Sequence, residues 1–200
     1  MSHYFDAEPT VDSRTRQVSL VLPDISLELT TDRGVFARDG IDPGTKLLLL
    51  DAPSPPSEGH LLDLGCGYGP VALTLARRSP ATTVWAVAVN RRALQLVEAN
   101  AAAAGVANVR TAEPEAVPAD VRFAALWSNP PVRIGKPALQ VLLAGWLDRL
   151  VPGGRAWLVV HKHLGADSLA RWLGGEGFPT ERRCSRMGYR LLEVQGRLRR

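Results

Sequence analysis

Two short runs carry residue types suited to chemistry: Asp63-Leu-Gly65-Cys66-Gly67-Tyr-Gly69-Pro70 and Ser128-Asn129-Pro130-Pro131. The first follows an apolar run and opens a helical stretch, the place where an open parallel sheet cradles a ligand. Glycines there let the backbone turn sharply and press against a ligand, and the helix N-terminus offers unpaired N–H groups. The spacing is GxGxG with Pro70 next, whereas a dinucleotide fingerprint needs glycine or alanine where Pro70 stands, so a pyrophosphate cradle is disfavoured. Asp63, two residues ahead of Gly65, is placed to hold an ammonium group through water or backbone. In the second run a polar Asn129 between an apolar stretch and two prolines cannot continue a ladder and marks a rigid turn.

The surrounding pattern supplies a frame for both runs. Val18 to Leu22 and Ile25 to Thr31 read as a β-hairpin turning at Pro23-Asp24, and Asp42-Pro43 starts a helix through Leu50. Ala52 to Gly59, rich in proline and serine, separates this preface (1–52) from a core (60–200). In the core, strands at Leu61 to Leu64, Thr83 to Val89, Val106 to Thr111, Phe123 to Ser128 and Ala156 to Val160 alternate with helices at Val71 to Arg78, Arg91 to Ala104 and Pro137 to Leu150. That alternation predicts a parallel sheet covered on both faces. A helix near Ala166 to Leu173 and a pair, Thr180 to Ser185 and Tyr189 to Val194, turning at Met187-Gly188, add an antiparallel edge. The expected fold is α/β, a doubly wound and mostly parallel seven-stranded sheet with an edge hairpin. The 200 residues are expected to form a single domain.

DLGCGYG looks like the cofactor loop of class I S-adenosylmethionine-dependent methyltransferases, and NPP at the end of the fourth core strand resembles the motif of those that methylate a planar exocyclic amine. The resemblance implies that the Asn129 side-chain oxygen and the Pro130 carbonyl accept the two N–H bonds of an amine whose lone pair is delocalised, steering that lone pair toward the methyl. Gly34 to Thr45 (GVFARDGIDPGT), His161 to Leu169 (HKHLGADSL) and Gly188-Tyr189-Arg190 extend the likeness to the small methyltransferase domain of ribosomal RNA guanine methyltransferases, over nearly the whole chain. This implies S-adenosylmethionine as cofactor, S-adenosylhomocysteine as product, no metal, and small-subunit ribosomal RNA or an assembly intermediate as partner. Cofactor contacts are then expected from Asp63, Gly65, Cys66, Gly67, Gly69, Thr45 and Asn129. Glu113 is expected to read the adenine, with Glu115 or a merely solvated acid as alternatives. Pro131, Val132, Arg133 and Lys136 are expected at the substrate. The second, duplicated domain of larger relatives is not expected here.

Two positions depart from the pattern. The strand ending Ala88-Val89-Asn90 should finish with an acid that bridges the ribose hydroxyls, and that position is Ala88. Losing a charged acceptor costs roughly 1.5–3 kcal/mol, or about ten- to a hundredfold in affinity. Weak binding, replacement by Asn90 or water, or a disabled site are the three consequences that stay open, with Asn90 the favoured substitute. Val132 stands where many NPP enzymes carry an aromatic that stacks on a flipped base, worth about 1–3 kcal/mol. Both departures keep open a methyltransferase fold that binds RNA without turnover. A protein-glutamine N-methyltransferase also shares NPP, although the preface here is short and β-rich where such enzymes usually add a helical recognition domain.

Composition sets the outer bounds. At 46% hydrophobic and 22% charged the chain has the balance of an ordinary globular domain. No apolar run reaches the roughly 20 residues that span a bilayer, and Met1 to Thr10 lacks the apolar centre of a secretory peptide. Cys66 and Cys184 read as free thiols in a reducing cytoplasm, and a monomer is the default. The net charge is +4, and lysine occurs only at Lys46, Lys136 and Lys162, an arginine bias that also suits a GC-rich genome. Arg182, Arg183, Arg186, Arg190, Arg197, Arg199 and Arg200 form the densest basic stretch, read as a phosphate-contact surface or a solvated face. The alternation of His161 and His163 at the end of a β-run would let them face the cleft, without a third ligand for a metal, and Tyr4 and Phe5 either cover the cofactor or staple the N-terminus.

Overall fold

The computed structural model describes residues 7–197; Tyr4, Phe5, Arg199 and Arg200 lie outside them. Strands β1 (Arg16–Val21) and β2 (Ser26–Thr31) form an antiparallel hairpin closed by a Leu22 N–H to Ile25 carbonyl bond of 2.8 Å. Alternation places Val18 and Leu20 opposite Leu29 and Leu27 on one buried face. Helix α1 (Pro43–Asp51) begins where the sequence offers both start signals. Pro43 occupies the first turn and the Asp42 carboxylate accepts the Thr45 N–H at 2.9 Å.

From β3 (His60–Leu64) onward the chain alternates with α2 (Pro70–Arg78), β4 (Thr83–Val87), α3 (Arg91–Ala103), β5 (Val109–Ala112), β6 (Phe123–Ser128), α4 (Lys136–Leu147), β7 (Leu150–His161), α5 (Ala166–Gly175), β8 (Thr180–Arg186) and β9 (Tyr189–Gln195). The sheet order is β5-β4-β3-β6-β7-β9-β8; the first five strands run parallel and β9 pairs antiparallel with both β7 and β8. The doubly wound seven-stranded sheet and its edge hairpin are as expected.

Each face of the sheet has its own core. Leu61, Val84, Trp127, Trp157 and Val159 pack under α1, α2, α3 and the buried face of the β1–β2 hairpin. Trp127 and Trp157, paired in register on β6 and β7, stack with centroids 4.7 Å apart. Leu62, Leu64, Phe123, Leu126 and Leu158 pack under α4 and α5. Strands buried on both faces explain the nearly continuous apolar runs in the sequence. Among the described residues no helix is long and apolar enough to cross a membrane.

Three element boundaries differ from the sequence expectation by three residues or more. The strand placed at Val106 begins at Val109, because Asn108 donates its side-chain amide to the carbonyls of Ala76, Ser79 and Thr82 and so ties the approach to the end of α2. The helix expected through Leu150 ends at Leu147, and the strand expected at Ala156 starts at Leu150. Phe123 pairs with Leu150 and Ala125 with Arg155, so β7 bulges through Val151 to Gly154, a stretch whose proline and glycines read as a loop.

The strand order reverses between β3 and β6. From β3 the chain moves to β4 and β5 on one side, then crosses to β6 on the other, leaving a crevice at the carboxyl ends of β3 and β6. The glycine loop follows β3 and Asn129-Pro130-Pro131 follows β6, so two motifs far apart in sequence open on one crevice.

Candidate active site

The crevice holds a cavity of about 380 Å³, within the range of small-molecule sites. Gly65 and Gly67 form its floor, Val87, Ala88 and Val89 one wall, Pro114 and Ala93 the edge beside them, and Asn129 to Arg133 the opposite wall. His161 at the end of β7, Leu164 after it and Tyr189 at the start of β9 complete the lining. A smaller niche behind the floor is lined by Thr45, Asp63, Gly65, Cys66, Gly67 and Asn129.

The glycine loop is built as its spacing implies. Gly65, Gly67 and Gly69 all have positive φ (80°, 54° and 96°), a conformation that costs a side-chain-bearing residue about 1–2 kcal/mol. Gly69 also abuts the core, since a Cβ there would meet Leu73 Cδ1 at 2.7 Å and Val97 Cγ2 at 3.2 Å. It therefore packs α2 onto α3 and does not line the cavity, contrary to the contact expected of it.

Asp63 is buried beneath the loop and accepts the Ala72 N–H at 2.9 Å. Complete burial pushes its carboxyl up to about 7, against the pull of that one hydrogen bond. A buried carboxyl with one amide partner is unmet demand for positive charge, which suits an ammonium group in the adjoining niche. The Cys66 thiol is also pushed up, by burial first and by Asp63 second, so it acts as a small apolar lining residue.

The residues from Gly34 to Thr45 form a strap over the loop. Its near end is tied by Asn90, whose Nδ2 donates to the Gly34 carbonyl at 2.8 Å, and its middle by Tyr68, whose hydroxyl donates to the Gly40 carbonyl at 3.1 Å. Val35 and Phe36 of the strap line the cavity. Its far end is Asp42, which meets the NPP motif. Asn129 Nδ2 donates to Asp42 Oδ2 at 2.8 Å and to Thr45 Oγ1 at 3.1 Å. An ionised carboxylate only accepts, so the amide nitrogen must face Asp42, leaving Asn129 Oδ1 unengaged by this pair. Tyr189 adds its hydroxyl to the other Asp42 oxygen at 3.4 Å. That approach requires Gly44, where a Cβ would lie 2.5 Å from the Tyr189 ring. The Pro130 carbonyl accepts the Val132 N–H at 2.8 Å and retains its second lone pair.

Several expected contacts fall elsewhere. Asn90 lines the cavity while its Oδ1 accepts the Ala93 N–H at 3.1 Å as cap of α3 and its Nδ2 donates to the Gly34 carbonyl. Glu113 does not line the cavity; its carboxylate pairs with Arg91 Nε at 3.0 Å, and its neighbour Pro114 borders the space instead. Lys136 is exposed at the start of α4 and is not part of the lining, whereas Arg133 is. Ala88, Pro131 and Val132 line the cavity, and Thr45 lines the niche. The hairpin arginines are largely neutralised: Arg182 and Arg190 face Asp167, Arg183 faces Glu181 and Glu193, Arg186 faces Asp51 and Arg197 faces Asp148. Among the described residues no cluster of His, Cys, Asp and Glu could hold a metal ion.

Tyr189, Val35 and Phe36 were not singled out for the pocket by spacing. The GYR and GVF segments that contain them were the only signal.

A parallel sheet with a glycine loop at its switch point, a buried acid beneath that loop and an oriented amide across from it defines a class I methyltransferase fold whose donor is S-adenosylmethionine. Residues 26–191 match the family model "Methyltransferase small domain", and the chain belongs to that family. It is 34% identical over 169 residues to the uncharacterized protein YbxB of Bacillus subtilis, an alignment covering 83% of this chain and 84% of that one. It is also 34% identical over 162 residues to ribosomal RNA small subunit methyltransferase C of Pseudomonas aeruginosa, covering 79% of this chain and 48% of that protein. The chain thus spans about half the length of the methyltransferase C relatives. In fold it is similar to the Thermus thermophilus 16S rRNA N2 G1207 methyltransferase, solved with AdoMet and guanosine, at a TM-score of 0.78 and 24% identity, over 94% of this chain and 52% of that one.

Proposed function

We propose that this chain methylates the exocyclic amine of a guanine in small-subunit ribosomal RNA. The observation that carries the reading is the fixed polarity of Asn129, which directs an acceptor and not a donor toward the cavity. When bound, S-adenosylmethionine supplies an electrophilic methyl on a positively charged sulfur. The glycine loop and the niche with Asp63 would hold it; Pro114 and the wall from Val87 to Val89 border the remaining space. The Asn129 side-chain oxygen and the free lone pair of the Pro130 carbonyl accept the two amine hydrogens. The amine's own lone pair is then directed out of the base plane. Bound there, S-adenosylmethionine would give its methyl to that nitrogen and leave as S-adenosylhomocysteine, with one amine proton passing to water. A guanine amine in a helix must be extruded to reach Asn129, so either the substrate is an open or incompletely assembled RNA or the enzyme opens it locally.

The similarity to methyltransferase C relatives supports RNA as the substrate class. A second reading, an RNA-binding protein without turnover, is favoured by Ala88, which puts no carboxylate on that cavity wall. One experiment separates them. Methyl transfer from labelled S-adenosylmethionine to ribosomal RNA lacking modifications, followed by nucleoside analysis, is expected to yield N2-methylguanosine and to fall at least about a hundredfold in Asn129→Ala. Binding without transfer by the parent supports the second reading; label in glutamine of a protein fraction supports the protein substrate. Full activity in Asn129→Ala overturns the role given to NPP.

A further inference from the structure

The arginines of the edge hairpin are matched by carboxylates. On β8, β9 and the residues after them, Arg182, Arg183, Arg186, Arg190 and Arg197 each lie within 4.0 Å of a carboxylate oxygen, with separations of 3.3–3.7 Å. Arg155 shares Glu193 with Arg183. A phosphate arriving there competes with carboxylates already in place, and the local net charge is close to zero.

The cavity mouth differs in kind. The segments that follow β6 and β7, adjacent strands of the sheet, carry Arg133, Lys136 at the start of α4, and Lys162, all exposed, with His163 beside them. No Asp or Glu occurs from Pro130 to Leu147 or from Arg149 to Ala166. Among the described residues none of these three cations is within ion-pair distance of a carboxylate, unlike the hairpin arginines. Arg133 lines the cavity itself, and Lys162 stands between His161 and Leu164, which also line it. Leu164 is 52% exposed, an apolar surface at the mouth beside the cations.

We infer that single-stranded RNA crosses the cavity mouth with its phosphates on Arg133, Lys136 and Lys162, and that the hairpin arginines take no part. The inference rests on the RNA reading proposed above and names the surface which that reading needs. A nucleotide extruded into the cavity leaves its flanking phosphates at the rim, where cations not held by carboxylates gain most from counterion release.

The test is fluorescence anisotropy with a short, guanine-containing single-stranded RNA, titrated across a range of salt. Each phosphate contact on a single strand contributes about −0.7 to the slope of log affinity against log salt. Neutralising the rim in R133Q/K136Q/K162Q is expected to flatten the slope by about 2, and K136Q/K162Q, which leaves the cavity lining intact, by about 1.4. R182Q/R183Q/R186Q is expected to keep the parent slope. Calorimetric binding of S-adenosylhomocysteine by each variant reports whether its pocket is folded. An unchanged slope in K136Q/K162Q, or flattening in the hairpin variant, overturns the assignment while leaving the RNA reading in place. A parent that binds S-adenosylhomocysteine but no RNA overturns the RNA reading, and this surface with it.

Discussion

Replacing Ala88 by aspartate should tighten cofactor binding. Ala88 is half-buried in the cavity wall just past β4, and its backbone is pinned by a bond from its N–H to the Ala112 carbonyl at 3.3 Å, so a longer side chain projects without moving the strand. Among the described residues lining the cavity the sole carboxylate is Asp42, engaged at the opposite end with Asn129. Asn90, which also lines the cavity, is neutral and already bonds Gly34 and Ala93. The ribose end thus lacks a charged acceptor, and supplying one adds hydrogen bonds worth roughly 1.5–3 kcal/mol, or about ten- to a hundredfold in dissociation constant. Calorimetric titration of S-adenosylhomocysteine into the parent and Ala88→Asp measures this directly. Repeating the titration with the 2′-deoxy analogue isolates the contact, because the gain should shrink when one hydroxyl donor is removed. If Ala88→Asp binds no tighter, or if both ligands gain equally, the account of this position as a missing ribose acceptor is wrong.

Asn129→Asp should not behave as a conservative change: it sets a second carboxylate where an amide nitrogen now donates to Asp42 at 2.8 Å, so activity is expected to be lost above neutral pH and partly regained on acidification, read from a rate–pH profile. Asp63, with its carboxyl near 7 in the folded protein, should release a proton when a cationic amino group docks beside it. Calorimetry in buffers of different ionisation enthalpy should find about 0.9 proton released at pH 6 and little above pH 8, and Asp63→Asn should abolish the linkage. In the free protein the same raised value means that the native state holds this proton longer than the unfolded chain. Stability from this group is therefore full below about pH 4 and lost as pH rises through about 7, a slope that Asp63→Asn should flatten in urea melts. Gly69→Ala should destabilise by about 2–4 kcal/mol in the same melts, since φ is 96° and the new Cβ falls 2.7 Å from Leu73.

The sheet was legible because its information is local. Apolar runs such as Phe123 to Ser128, bounded by Arg122 and Asn129, read as strands buried on both faces, and Asp42-Pro43 names a helix start within two residues. The boundaries that slipped depended on distant partners. Asn108 delays β5 by bonding carbonyls at the end of α2, and the β7 bulge follows its register against β6. The same division runs through the site. Glycines and prolines act through their own backbone, so Gly65, Gly67, Pro130 and Pro131 could be placed from sequence. Asn90, Glu113 and the hairpin arginines act through partners that sequence does not reveal. Each proved to be engaged with another part of the protein: Asn90 with Gly34, Glu113 with Arg91, the arginines with acids on several elements.

Asp42 joins the two kinds of information. Its role as cap of α1 is local, worth about 1 kcal/mol to that helix, and a three-residue spacing to Thr45 announces it. Its role toward Asn129 spans 87 residues and exists only because the strap lies across the carboxyl edge of β3 and β6. The cap bond to Thr45 fixes the carboxylate, and the fixed carboxylate decides which end of the Asn129 amide faces the cavity. Thr45 accepts from the same amide nitrogen at 3.1 Å and Tyr189 steadies the second carboxylate oxygen. The hydrogen bonds that start a helix and those that set the polarity of the site therefore share one side chain. That sharing gives a physical reason for Gly44 and Tyr189 to lie beside Asp42, in segments with no chemistry of their own.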